Sequence, residues 1–283
     1  MRKTVLSFSL VSAVLFMSFV SNNKPLSGPV TLKEIESSVV KLNDKLYAGK
    51  YEVSNRLYLA FEQSLKKAGK TEQLKTAMVD SVNWRDKLAY NEPYVDYYYR
   101  HPAYANYPMV NISYDAAQLF CQWLTDWYNA DAKRKYKKVV FRLPTESEWV
   151  MAAQGGNKGN IYSWGMNLMK DGLWAGNFRR IRDEGLRYDT IKKEIVVDNS
   201  HYGVVGQYDD AADITAPVDA YKPNGLGIFN TCGNVAEMIS NKGIACGGGW
   251  RSLGGDIRID SRMSFARSAS DIGFRYFMEI VEE

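Results

Sequence analysis

The chain has 283 residues, 46% hydrophobic and 24% charged, a balance that excludes a disordered or fibrous protein and provides enough apolar mass for a globular core. Its formal charge is +4; setting aside Arg2 and Lys3 of an N-terminal leader leaves 34 basic residues against 32 acidic, too near neutral for a nucleic-acid surface.

The leader is read first. Arg2-Lys3 precedes an apolar run from Val5 to Val20, broken only by small polar residues, and Ser21-Asn22-Asn23-Lys24-Pro25 follows as a polar turn. Residues 1–23 therefore read as a secretory signal peptide, since the run is shorter than the roughly 20 residues of a membrane-spanning helix. The expectation is an exported protein, periplasmic or at the cell surface. No cysteine near the cleavage region offers a lipid anchor, and no second apolar run predicts an integral membrane span after signal removal.

Residues 24–45 are polar and weakly periodic, a linker or an N-terminal helix, with one domain expected over 46–283. Tyr51-Glu52-Val53 alternates like a strand, and Ser54 caps a predicted helix that aligns Leu57, Phe61 and Leu65 on one face. Between 94 and 109 stand Tyr94, Tyr97, Tyr98, Tyr99, Tyr104 and Tyr107 with His101 and two prolines; this predicts an ordered aromatic loop without regular helix, either packing or a binding face. Ser113 caps a second helix with Ala116, Ala117, Phe120, Cys121 and Leu124 on its apolar stripe, which should bury on a sheet. Val139-Val140-Phe141 is a strand leading to Thr145-Glu146-Ser147-Glu148, a capping box that starts a third helix with Trp149, Ala152 and Ala153 inward and Gly155-Gly156 at its end. The remainder is rich in Gly, Asn, Asp and Trp, as expected of long loops pinned by short strands and stapled by a metal.

Three cysteines, Cys121, Cys232 and Cys246, allow at most one disulfide; Cys232 and Cys246 are the favoured pair, and Cys121 reads as a buried thiol. The two histidines, His101 and His201, have no partner at helical spacing, and no G-x-S-x-G elbow marks a hydrolase.

A series of motifs then falls in one order: Tyr51-Glu52-Val53-Ser54-Asn55, Pro108-Met109-Val110-Asn111-Ile112-Ser113, Arg142-Leu143-Pro144-Thr145-Glu146-Ser147-Glu148-Trp149, Tyr162-Ser163-Trp164-Gly165, Ala216-Pro217-Val218, Gly233-Asn234-Val235-Ala236-Glu237, Gly247-Gly248-Gly249-Trp250 and Gly273-Phe274-Arg275. From Tyr51 to Phe277 the chain resembles the sulfatase-modifying-factor family, which contains the formylglycine-generating enzymes. The resemblance implies an α+β, loop-rich variant of the C-type lectin fold with few short strands and about three helices.

The family's enzymes oxidise a sulfatase cysteine with molecular oxygen, using copper between two cysteines. At those positions this chain has Ser252 and Ile257. A neutral hydroxyl does not replace a thiolate for soft Cu(I), and isoleucine has no ligand atom, so copper and formylglycine chemistry are not expected. A related iron-dependent branch would need a histidine cluster that the chain lacks. Calcium is the cofactor that the resemblance still implies. One site corresponds to Asn230, Thr231, Gly233, Val235 and Glu237, the other to Asn177, Phe178, Asp210 and Ala212, sets of hard oxygen donors suited to that ion. Ala236 and Met238 flank Glu237 where the family has aromatics, so the packing beneath that loop should differ.

The resulting expectation is a non-catalytic binding or structural protein with an envelope protein partner, similar to gliding-motility and type IX secretion lipoproteins of Bacteroidetes though lacking their anchor cysteine. The alternatives are a lectin-like glycan or peptide binder using the 94–109 loop with Tyr162, Trp174 or Trp250, and a divergent enzyme using Arg251, Ser252 and Asp256 on the former active-site strand.

Overall fold

The structure is a computed structural model and describes residues 28–85, 91–179, 186–197, 212 and 214–282. The leader, His201 and Asp210 lie outside the described residues.

Two sheets organise the chain. The first is antiparallel and contains β1 (Val39–Lys41), β2 (Leu46–Gly49), β12 (Phe277–Glu282) and β3 (Lys138–Arg142), in that spatial order. Its β1–β2 hairpin begins within the segment expected as linker or helix, just after the short helix α1 (Leu32–Ser37). The second sheet runs β10 (Arg262–Ser264), β9 (Ile244–Cys246), β8 (Ala236–Met238), β11 (Ile272–Phe274), with β8 and β11 parallel. Two separate hairpins, β4 (Met169–Lys170) with β5 (Leu173–Trp174) and β6 (Leu186–Asp189) with β7 (Glu194–Val197), stand outside these sheets.

The predicted caps hold. Ser54 Oγ accepts from Leu57 N at 3.3 Å to open α2 (Asn55–Lys67), and Ser113 Oγ accepts from Ala116 N at 3.1 Å to open α5 (Tyr114–Ala130). Both halves of the Thr145–Glu148 capping box are made at the start of α6 (Glu146–Ala153). The stripes on α2 and α5 are buried in the main core with Phe141, Phe274 and Met278 from both sheets. Thr125 Oγ1 bonds the backbone of Phe141, and Asn129 bonds both backbone groups of Val139, which fixes α5 on β3.

Three expectations are corrected. Tyr51–Val53 is extended but not a regular strand; Val53 N donates to Phe274 O at 2.9 Å and Val53 O accepts from Met109 N at 2.7 Å, a seam between loops beside the true strand β2. The tyrosine segment contains a helical turn, α4 (Glu92–Tyr97), because proline is tolerated in a helix's first turn, where its missing N–H is no loss. Six α-helices are described where about three were expected; the extra ones, α1, α3 (Thr71–Ala77) and α4, have six or seven residues, too few to display a hydrophobic period.

Candidate functional site

The site of interest is assembled around the loop that precedes β8. Asn230, Gly233 and Asn234 all adopt left-handed backbone (φ 53°, 86° and 65°), a series of turns that asparagine and glycine tolerate and branched residues do not. Gly233 also leaves no room for a side chain: a Cβ there would lie 2.5 Å from Asn177 O. The close approach lets Asn234 N donate to Asn177 O at 2.7 Å, so the two loops expected to carry separate calcium ions are joined to each other.

Asn234 is the centre of this junction. Its Oδ1 accepts from Ala216 N at 2.7 Å and from Asn177 Nδ2 at 3.2 Å, while its Nδ2 donates to both oxygens of Glu52 at 3.0 Å. Asn230 Nδ2 donates to Val218 O at 3.1 Å, and Asn177 Nδ2 to Ile214 O at 2.8 Å. Glu52 is buried, and the loss of solvent, reinforced by nearby Glu237 and opposed by Arg275, raises its carboxyl well above the usual range.

Glu237, one of the expected calcium ligands, points elsewhere. Arg275 Nη2 lies 2.5 Å from its Oε1, and Trp149 Nε1 donates to its Oε2 at 2.8 Å. Arg275 further donates to Gly49 O and Phe229 O, so one buried guanidinium ties β2, the 229–235 loop and β8 together. Glu52, Asn234, Trp149 and Arg275 were not singled out from the sequence as a polar network. The signal for it was present in the Gly273-Phe274-Arg275 motif, where a charged residue closes an apolar strand.

As a calcium cradle the first loop is a partial fit. The buried Thr231 hydroxyl has no hydrogen-bond partner among the described residues, as an oxygen held for a hard cation would. The Thr231 carbonyl packs on Gly247, and the Glu237 carboxylate is committed to Arg275 and Trp149. In the second set, Asn177 and Phe178 are buried beside the first loop and Ala212 is half-buried. Val235 is buried against Gly273 in the cluster containing Trp84 and Tyr98.

Ser252 and Ile257, where the family resemblance expects the copper cysteines, lie beside one glycine. A Cβ placed on Gly248 would lie 3.0 Å from Ser252 Cβ and 2.9 Å from Ile257 Cγ2, so both side chains flank the same glycine. Ser252 Oγ accepts from Gly249 N at 3.0 Å, closing a tight turn, and Ile257 is fully buried among Trp149, Ile239, Ile259, Cys232 and Cys246. This pair does not fit copper, since one side chain is an apolar plug and the other a turn-forming hydroxyl.

The neighbouring thiols offer no replacement. Cys232 and Cys246 are free, not disulfide-bonded as the sequence favoured, and burial pushes both thiols up to about 12. Cys121 is likewise a free, buried thiol, as expected from its helix face. Among the described residues no group of three or more His, Cys, Asp or Glu is placed to hold a metal. His101 caps a short 3₁₀ turn, its Nδ1 accepting from Ala103 N at 3.2 Å.

The other candidate surfaces are equally definite. Tyr98 and Trp84 are fully buried, and Trp250 stacks on Trp84 with centroids 6.2 Å apart, so the tyrosine segment is mainly a packed wall. Arg251 lies over the Trp250 ring, and loss of solvent raises the Asp271 carboxyl against the opposing pull of Arg251.

Comparison with known proteins supplies the context. The sulfatase-modifying factor enzyme 1-like domain matches residues 26–280. The formylglycine-generating enzyme of Streptomyces coelicolor is 32% identical over 136 residues, which are 48% of this chain and 32% of that protein. The inactive C-alpha-formylglycine-generating enzyme 2 of Bos taurus is 28% identical over 158 residues, 55% of this chain and 40% of that protein. The chain thus aligns with well under two thirds of these relatives. Among solved structures, CarF superposes with a TM-score of 0.50 at 20% identity over 86% of this chain and 93% of its own; Treponema denticola variable protein 1 gives 0.50 at 16% over 86% and 91%. Both likenesses concern the fold alone.

Proposed function

The chain belongs to the sulfatase-modifying factor enzyme 1-like family, and we propose that within it this protein is an exported, non-catalytic binding component of the cell envelope. The observation that supports the reading is the pair at Gly248: Ser252 and the buried Ile257, read from the resemblance as the family's cysteine positions, flank one glycine and carry no thiol. Similarity to a protein named as an inactive formylglycine-generating enzyme supports a family that retains the scaffold without the reaction. The leader supports export.

The reading includes calcium on the 177–178 and 230–235 loops, where asparagine, backbone and threonine oxygens gather and where Asn177 and Asn234 already join the segments. In it Glu237 serves as the anchor for Arg275. The partner is a protein of a gliding-motility or type IX secretion kind of assembly, and the relation to C-type lectins is part of the same proposal. The glycan alternative loses its main surface, because Tyr98 and Tyr99 are engaged inside the domain: Tyr99 Oη bonds Trp84, Asn111 and Val110. The divergent-enzyme alternative has no support from Ser252, whose oxygen closes its own turn.

The test is affinity purification of the tagged protein from its native envelope, in calcium and in chelator, with mass spectrometry of what is retained. A stoichiometric envelope partner lost in chelator is expected. No partner in either buffer overturns the reading and directs the search to glycan arrays; oxidation of a cysteine-containing sulfatase peptide by the copper-supplied protein overturns its non-catalytic part.

A further inference from the structure

Away from the Gly248 pair, the β4–β5 hairpin and the segment from Ala216 to Lys222 form the walls of a cleft of about 540 Å³, within the range of ligand-binding cavities. Trp164, Trp174, Pro217 and Tyr221 are among its lining, and the charged residues of its described lining are Lys170 and Lys222. The walls are built with some strain: Tyr221 has φ 63°, a left-handed conformation unfavourable for an aromatic residue, and this sets it into the cleft wall. Trp164 is held in place by stacking on Tyr162 at 5.4 Å and by its position directly over Gly176.

The chemistry of the lining selects its ligand. None of the described lining residues is Asp, Glu, Asn or Gln, while the two lysine ammonium groups are donors only and make charge-assisted bonds with carboxylates. The Trp164 indole N–H already donates to Asn167 O at 2.7 Å, leaving its ring as the apolar contact. In the same segment Met166, Met169 and Leu173 are 57%, 44% and 56% exposed; Leu173 lines the cleft, and the hairpin register pairs it with Lys170. Across the mouth, Lys222 pairs with Asp171 at 3.1 Å, with both side chains well exposed, so the pair is weakly held and an incoming carboxylate can take the place of Asp171.

We propose that this cleft binds an acidic peptide segment of a protein partner, with a leucine or aromatic side chain between the tryptophans and its carboxylates on Lys170 and Lys222. The proposal rests on the binding reading and specifies the partner's chemistry. Lys170 and Lys222, the charged residues among the described lining, supply the charge complementarity, and exposed Leu173 extends the apolar contact.

The experiment selects random displayed peptides on the immobilised chain and measures the winners by fluorescence polarisation. Enriched peptides should combine Asp or Glu with Leu, Phe or Trp. Their affinity should fall at least about tenfold between low and high salt, since surface charge pairs are screened. A comparable loss is expected in the Lys170→Glu/Lys222→Glu variant, whose exposed substitutions leave the circular dichroism unchanged. Leu173→Ser, also exposed, provides an independent variant and should weaken binding without altering the salt dependence. Absence of enrichment, enrichment of neutral or basic peptides, indifference to the variants, or displacement by neutral oligosaccharides each overturns the proposal. Retention of the envelope partner by the Lys170→Glu/Lys222→Glu variant would also reject the cleft while leaving the binding reading intact.

Discussion

Arg275 and Glu237 form an ion pair from which solvent is absent: Nη2 is 2.5 Å from Oε1 and both side chains are 0% exposed. Removing either partner leaves the other charge in the core without compensation, at a cost of about 3–5 kcal/mol. Arg275→Met and Glu237→Gln should each lower the unfolding free energy in urea by that amount. The double variant should recover part of the loss, because no lone charge remains; strict additivity would show that the two groups do not act on one another.

Two limbs of the pH–stability curve follow from different carboxylates. Burial pushes Glu62 up to about 7 and Glu52 well above its usual range. A carboxyl that holds its proton more tightly when folded contributes fully below its unfolded value of about 4.3, and that contribution is lost as pH rises through the folded value. Unfolding free energy should therefore decline between pH 5 and pH 8, and Glu62→Gln or Glu52→Gln should flatten the decline.

Glu148 has the opposite sign. Its bidentate bonds to Arg142, at 2.7 Å each, hold it down to about 2, with the Thr145 N–H adding to the effect. This contribution is present above about 4.3 and disappears as pH falls toward 2. Glu148→Gln should remove that acid limb, and Thr145→Ala should cost about 1 kcal/mol through the lost cap at every pH. Acid titration of the melting temperature reads both.

The Gly248 pair predicts a gain of function in metal binding. Because Ser252 and Ile257 touch the same glycine, Ser252→Cys/Ile257→Cys should place two thiols within reach of one ion and acquire Cu(I) in a chelator competition, whereas either single variant should not. Trimming the buried isoleucine should cost about 2–4 kcal/mol, by comparison with other large-to-small core changes. A double variant that folds but takes no copper would show that the two side chains diverge.

The proposed calcium site predicts a melting temperature that rises with free ion. A native-state ligand at about 100 times its Kd adds about 2.7 kcal/mol. Thr231→Val keeps the shape and removes the unpartnered hydroxyl; it should abolish the calcium increment while leaving the melting temperature in chelator unchanged or higher. An equal increment in both proteins would remove Thr231 from the site.

The elements that were legible in the sequence were those with a local cause. Ser54, Ser113 and the Thr145–Glu148 box announce helix starts through chemistry confined to four residues, and the stripes on α2 and α5 are long enough to show a period. The short helices and β1 lacked that length. At the candidate site, the motif order located the loops at 177 and 230–237, but spacing says nothing of direction: Glu237 turns toward Arg275, and only the fold brings those residues together. Glu52 was similarly hidden, since an alternating Tyr-Glu-Val predicts an outward glutamate and its amide partners are about 180 residues away.

The position of β12 sets the order in which the molecule can be made. It lies between β2 and β3, bonded to both, so a strand from residues 46–49 waits for its neighbour until residue 277 has been synthesised. Until then both inner edges of the main sheet are unpaired, and the core between α5 and β3 has one wall. Closure is consequently a late, long-range event of the slow class.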